Sequence, residues 1–234
     1  MIKQFILLAL LAVTAHAQPE RFEAPSCEAP NQLARRTAFT LCFNPETKVA
    51  AWASYELSPE HLTASAFPRP SHFRRDPDLE SASDSDYRGT GMQRGHLVPA
   101  QDVSWSEEAI RDSFLLSNAA PQFPAVNQSA IRRLENAIRR EASGQPLHII
   151  TGTLYDCGTV ITYIGRNNVA VPCAFYKVVA GESRIEATLV SNQTNPVAEP
   201  IAITKLEQRT GLKFVHVAAE QETPASIPPR TAAP

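Results

Sequence analysis

The chain has 234 residues, with 22 Lys and Arg against 24 Asp and Glu and a formal charge of −2. A balance this close to neutral counts against a protein that coats nucleic acid by bulk charge, though not against an enzyme that gathers its arginines at one place. The length suffices for one sizeable domain with its own core.

The opening segment MIKQFILLALLAVTAHA, residues 1–17, reads as a secretory signal peptide: Lys3, an apolar run from Phe5 to Val13, and the small-x-small site Ala15-His16-Ala17. Its apolar core is short for a membrane span, and an uncleaved anchor is the plainer alternative. Cleavage leaves about 217 residues and a formal charge of about −3. The expected location is the periplasm or the medium, with no stable membrane association. Four cysteines, Cys27, Cys42, Cys157 and Cys173, fit an exported chain. They allow three connectivities, of which the local pairs Cys27–Cys42 and Cys157–Cys173 are favoured. A zinc site is the rival, but the chain has neither C-x-x-C nor H-E-x-x-H.

Residues 18–36 read as a polar, extended lead-in. VAAWASYEL (Val49–Leu57) alternates imperfectly and predicts a strand. From Ser58 to Tyr87, Pro59, Pro68, Pro70 and Pro77 predict a loop. Ser104 and Glu107 form a capping-box candidate for a first helix. A second helix runs from Asn127 toward Gly144, with Ala130, Ile131, Leu134, Ala137 and Ile138 on one apolar face. LHIITGTLY, VITYIG, VAVPCAFYKVV and RIEATLVSN predict strands, with a hairpin at Gly181-Glu182-Ser183. Residues 219–234, Pro-rich and polar, predict a disordered tail after a domain spanning 18–218. The order implies a mixed α+β domain.

The chemistry concentrates in DYRGTGMQRGHLVPAQD, Asp86 to Asp102. Gly89, Gly91 and Gly95 allow tight turns beside a ligand. Arg88 and Arg94 offer permanent charge in a planar fork suited to phosphate. His96 is the nearby group able to take a proton near neutral pH. A surface turn with a packed histidine is the plain reading of Arg-Gly-His taken alone. The glycine spacing is not that of a dinucleotide fingerprint.

Together with FLLSNAAPQFPAVNQSAIRRLE, IGRNNVAVPCAFYKVV and KLEQRTGLKF, this stretch resembles the DNA/RNA non-specific endonuclease family over residues 49–214. The resemblance implies the ββα-metal nuclease fold, a central mostly antiparallel sheet flanked by helices. It implies a Mg²⁺-dependent endonuclease, with Mn²⁺ as a substitute, that cuts DNA and RNA with little sequence preference and leaves 5′ phosphates. Residue by residue, it makes His96 the general base, Asn127 the protein ligand of the metal and Glu135 the support of the metal's water shell. Arg94 is placed with the catalytic groups, and Arg88 and Arg74 with substrate binding. It leaves room for a homodimer. Where the family has Asp, this chain has Gln93, which removes a carboxylate beside the metal site.

Asn127 and Glu135, eight apart, differ on an ideal helix by about 80° and about 12 Å, so a shared water shell is reachable. A solvated Glu135 paired with Arg132 or Arg139 is the plainer alternative. Asn127-Gln128-Ser129 and Asn192-Gln193-Thr194 match the glycosylation sequon. Two other functions remain: an exported nucleic-acid-binding protein of this fold with impaired catalysis, and a phosphodiesterase for small nucleotides.

Overall fold

The computed structural model describes residues 21–182, 184–214 and 216–217. Its strands and helices, in chain order, are β1 (Arg21–Phe22), β2 (Gln32–Arg35), β3 (Phe39–Asn44), β4 (Val49–Leu57), α1 (Pro59–Thr63), β5 (Gln93–His96), α2 (Glu107–Ser113), β6 (Ala119–Gln122) and α3 (Arg132–Ala142). There follow β7 (Leu147–Leu154), β8 (Thr162–Ile164), β9 (Val169–Val171), β10 (Ala174–Ala180), β11 (Ile185–Ser191), β12 (Ala198–Pro200), α4 (Ile203–Thr210) and β13 (His216–Val217). The signal peptide and the tail expected from the sequence lie outside the described residues.

One seven-stranded sheet, ordered β12-β11-β10-β7-β4-β3-β2, carries the molecule, and every neighbouring pair in it is antiparallel. Period-two alternation divides its side chains between two apolar layers. Leu41, Phe43, Tyr55, Ile149 and Phe175 face one layer, while Trp52, Ile150, Tyr176 and Val178 face the other with Leu206 of α4 and Phe214. The imperfect alternation of β4 has a local cause. Cys42 pairs with Trp52 but Phe43 pairs with Ala50, so Ala51 is the extra residue of a β-bulge that resets the faces.

Both local disulfides form, Cys27–Cys42 and Cys157–Cys173. The sequence reading needs revision in four places. The cap of α2 is Ser106, whose hydroxyl accepts from the Ala109 N–H, rather than Ser104. The lead-in supplies β2, an edge strand, and the Pro-rich loop contains α1, capped by Ser58. On the second helix Ile131 and Ile138 are buried but Ala137 is exposed. The face turned inward instead continues to Ala142 and draws Glu135 and Arg139 partly under cover. The Asn192 sequon is spent internally: its Nδ2 donates to the Pro121 and Pro172 carbonyls, and its Oδ1 accepts from the Phe123 N–H. A buried side chain so engaged is closed to a glycan in the folded protein.

Candidate active site

Gly89 and Gly91, at φ 72° and 76°, turn the chain from a single helical turn at 84–87 into β5, in a region that residues with a Cβ resist. Arg94 and His96 lie on β5 itself, paired antiparallel with β6. Gly95 is required for a different reason. A Cβ there would stand 1.9 Å from the Gln122 side chain that lies against it. Asn118, fully buried, fastens the far end of β5. Its Oδ1 accepts from the Val98 N–H at 3.0 Å, and its Nδ2 donates to the Val98 and Ser113 carbonyls at 3.0 and 2.9 Å. Asn118→Ala strands these buried backbone groups and is expected to cost on the order of 3 kcal/mol. Urea unfolding measures this, and a loss below about 1 kcal/mol would contradict it.

β6 leads into α3 through a widened turn, Val126–Ile131, with i→i+5 geometry. Asn127 sits in that turn and Glu135 in the first turn of α3 proper. The widened turn changes the angular offset expected of an ideal helix. His96 from β5, Asn127 from the widened turn and Glu135 from α3 line one cavity of about 290 Å³ together with Arg69, Arg132 and Arg139. A larger cavity of about 500 Å³ beside the Cys157–Cys173 bridge has no histidine or carboxylate in its wall.

The His96 ring is held by aromatic packing. Phe73 lies 4.8 Å away between centroids and Phe114 meets it edge-on at 5.0 Å. No carboxylate forms an ion pair with it among the described residues. Burial, with Arg69 adding to it, pushes its pKa down to about 3, so the ring is neutral at pH 7. Asn127 Nδ2 donates to Gln93 Oε1 at 2.9 Å, which leaves Asn127 Oδ1 as the free end of the amide. Gln93 thus keeps an acceptor oxygen on the amide of Asn127, without the charge of an aspartate. Glu135 is pushed up by burial, against the pull of Lys177 and Arg139, which lie 3.9 and 3.6 Å from its oxygens. The Arg139 pairing expected of an exposed Glu135 is present, but the carboxylate is only 13% exposed.

The other arginines named from the sequence lie outside this cavity's wall. Arg94 rests on Asp84 at 2.7 Å and over the Tyr87 ring at 5.2 Å. Arg88, largely exposed, approaches the same Asp84 at 3.6 Å. Arg74 pairs its backbone with Leu115 and lines an adjoining cavity with His72 and Arg111. Arg69 walls both cavities and joins them. Sequence reading missed Arg69 and Asn118 as site residues, and treated Arg132 and Arg139 only as surface partners of Glu135.

Comparison with known proteins agrees with this architecture. The family model described as DNA/RNA non-specific endonuclease matches residues 18–221. The chain is 36% identical over 206 residues to Endonuclease G, mitochondrial, of Homo sapiens, covering 79% of this chain and 69% of that protein. It is 30% identical over 203 residues to Nuclease C1 of Cunninghamella echinulata var. echinulata, covering 76% and 81%. A solved structure of EndoG in complex with EndoGI superposes with a TM-score of 0.70 at 28% identity, over 78% of this chain and 84% of that one. The chain belongs to the DNA/RNA non-specific endonuclease family, with the ββα-metal nuclease fold and the phosphodiester-hydrolase activity of a nuclease.

Proposed function

We propose that the protein is an exported, Mg²⁺-dependent endonuclease that hydrolyses DNA and RNA with little sequence preference. The observation that carries this reading is the convergence of His96, Asn127 and Glu135 on one cavity with three arginines in its wall. Export is supported by the first 17 residues and by two disulfides, which are rare in reducing compartments. No helix among the described residues is long and apolar enough to cross a membrane.

The residues fit a hydrated hard cation better than a caged one. Among the described residues no group of three or more His, Cys, Asp or Glu could hold a metal. One free amide oxygen at Asn127, with Glu135 across a polar cavity, suits Mg²⁺, which keeps most of its waters. Bound there, the ion supplies Lewis-acid stabilisation of charge on the phosphate and the leaving oxygen.

Neutral His96 takes the proton of the water that attacks phosphorus in line. The P–O3′ bond breaks and the leaving oxygen takes a proton from solvent water, leaving a 3′ hydroxyl and a 5′ phosphate. Arg69, Arg132 and Arg139 hold phosphate oxygens and offset their growing charge. Arg94 reaches substrate by leaving Asp84, and Arg74 and Arg88 meet the strand outside the cavity. Contacts directed at phosphate carry no base information, which accounts for weak sequence preference.

Plasmid digestion with and without EDTA tests the reading. Nicking followed by linearisation in millimolar Mg²⁺, abolished by EDTA and restored by excess Mg²⁺, is the expected result. Undiminished cleavage in EDTA would overturn it. Plasmid binding without cleavage in either Mg²⁺ or Mn²⁺ would favour an impaired binding protein. Cleavage of dinucleotides alone would favour a small-nucleotide phosphodiesterase.

A further inference from the structure

Beneath the cavity lie two buried charged groups that the mechanism above does not use, Lys177 and Asp102, in a row with Glu135 and Arg139 of its wall. Phe175, Lys177 and Val179 alternate onto the same face of β10, so Lys177 stands where the pattern calls for an apolar residue. Its ammonium, on a side chain 2% exposed, donates to Thr151 Oγ1 on β7 at 2.7 Å and lies 3.9 Å from Glu135 Oε1. Asp102 is equally enclosed. Its Oδ1 accepts from Arg139 Nε at 2.5 Å, and its Oδ2 accepts from the Tyr55 hydroxyl at 2.8 Å. Arg139 closes the row, 3.6 Å from Glu135 Oε2, and its Nη1 donates to Asn136 Oδ1 at 3.0 Å.

The row holds two cations and two anions and is neutral as a set. Burying them still costs several kcal/mol per ion before pairing, and apolar residues of similar volume often serve stability as well or better. Stability alone is therefore a weak reason to keep Lys177 and Asp102. The placement supplies a stronger one. Glu135 and Arg139 line the cavity, whereas Lys177 and Asp102 do not. Each oxygen of Glu135 faces a different cation, and each end of the Arg139 guanidinium is engaged, so neither group is free to rotate.

We propose that Lys177 and Asp102 are positioning residues for the hydrolysis, fixing Glu135 and Arg139 in the orientation that substrate and water meet. This rests on the reading of the cavity as the nuclease site. The burial that pushes Glu135 up and Lys177 down is opposed in each case first by the charge of the other, so loss of either removes the main charge that offsets its partner's burial.

The test is a double-mutant cycle on plasmid cleavage. Lys177→Met is expected to lower kcat about 10- to 100-fold, with KM held within about twofold. In a Glu135→Gln background the same change is expected to cost less than about threefold, because the group it positions is already disabled. Asp102→Asn, nearly isosteric, should follow the same pattern, its loss shrinking below about threefold in an Arg139→Gln background. Should Lys177→Met not fold, Thr151→Val removes the hydroxyl that anchors its ammonium and carries the same cycle. In metal-free protein, carbon-13 NMR should show the Glu135 carboxyl titrating at higher pH in Lys177→Met than in wild type. Equal losses in both backgrounds, or an unmoved titration, would reduce Lys177 and Asp102 to structural residues and overturn the proposal. Glu135→Gln and Arg139→Gln at wild-type rate would instead overturn the reading of the cavity.

Discussion

His96→Ala is expected to lower kcat for plasmid cleavage about 10²- to 10⁴-fold, the range that a positioned general base supplies. The size follows from the setting of the ring. Phe73 and Phe114 hold it in place, and burial holds it neutral, with its pKa down at about 3. A base held that low is unprotonated throughout the physiological range, so its own limb in kcat/KM against pH lies below the ordinary histidine value of about 6.5. A limb at 6.5 or above, lost in His96→Ala, would contradict the depressed value. The fold should survive the change, because β5 is secured by its pairing with β6 and by Asn118 rather than by the imidazole. Circular dichroism and the melting temperature check that survival.

Asn127→Ala is expected to cost about two to three orders of magnitude in kcat/KM at millimolar Mg²⁺. Lewis-acid stabilisation is worth several kcal/mol, and each 1.4 kcal/mol is about a factor of ten. The free Oδ1 exists because Gln93 Oε1 takes up the other end of the amide. Alanine removes that oxygen, while Asp restores one with added charge. Asn127→Asp should therefore still bind Mn²⁺, and Asn127→Ala should not, as titration calorimetry or electron paramagnetic resonance would show. Wild-type Mn²⁺ affinity in Asn127→Ala would remove Asn127 from the metal site. The departure at Gln93 reads differently in this light. The neutral amide keeps the orientation of Asn127 and gives up only a negative charge.

Much of this was legible in the sequence, and the rest has identifiable reasons for being hidden. His96, Asn127 and Glu135 belong to short motifs whose side chains the ββα unit brings to one cavity. The local disulfides and the hairpin at Gly181 followed from spacing and turn chemistry. The widened turn at Val126–Ile131 left no such trace, because periodicity assumes a constant helical pitch. The bulge at Ala51 showed only as broken alternation. Lys177 carried a readable signal, a cation at core parity in AFYKVVA, but its partner sits on a helix 42 positions earlier. Arg94 illustrates the opposite case. Its motif was visible, yet its contact with Asp84 is a tertiary fact that no spacing announces.

The central claim is that His96 takes the proton in a site assembled around Asn127. Its most direct test is rescue of His96→Gly by added imidazole, since deleting the ring opens a space between Phe73 and Phe114 that free imidazole can enter. The expected result is a cleavage rate that rises with imidazole concentration and follows the fraction of imidazole that is unprotonated, with no rise in Asn127→Ala. A His96→Gly enzyme that cleaves at the wild-type rate without imidazole would contradict the account, and so would equal stimulation of both variants.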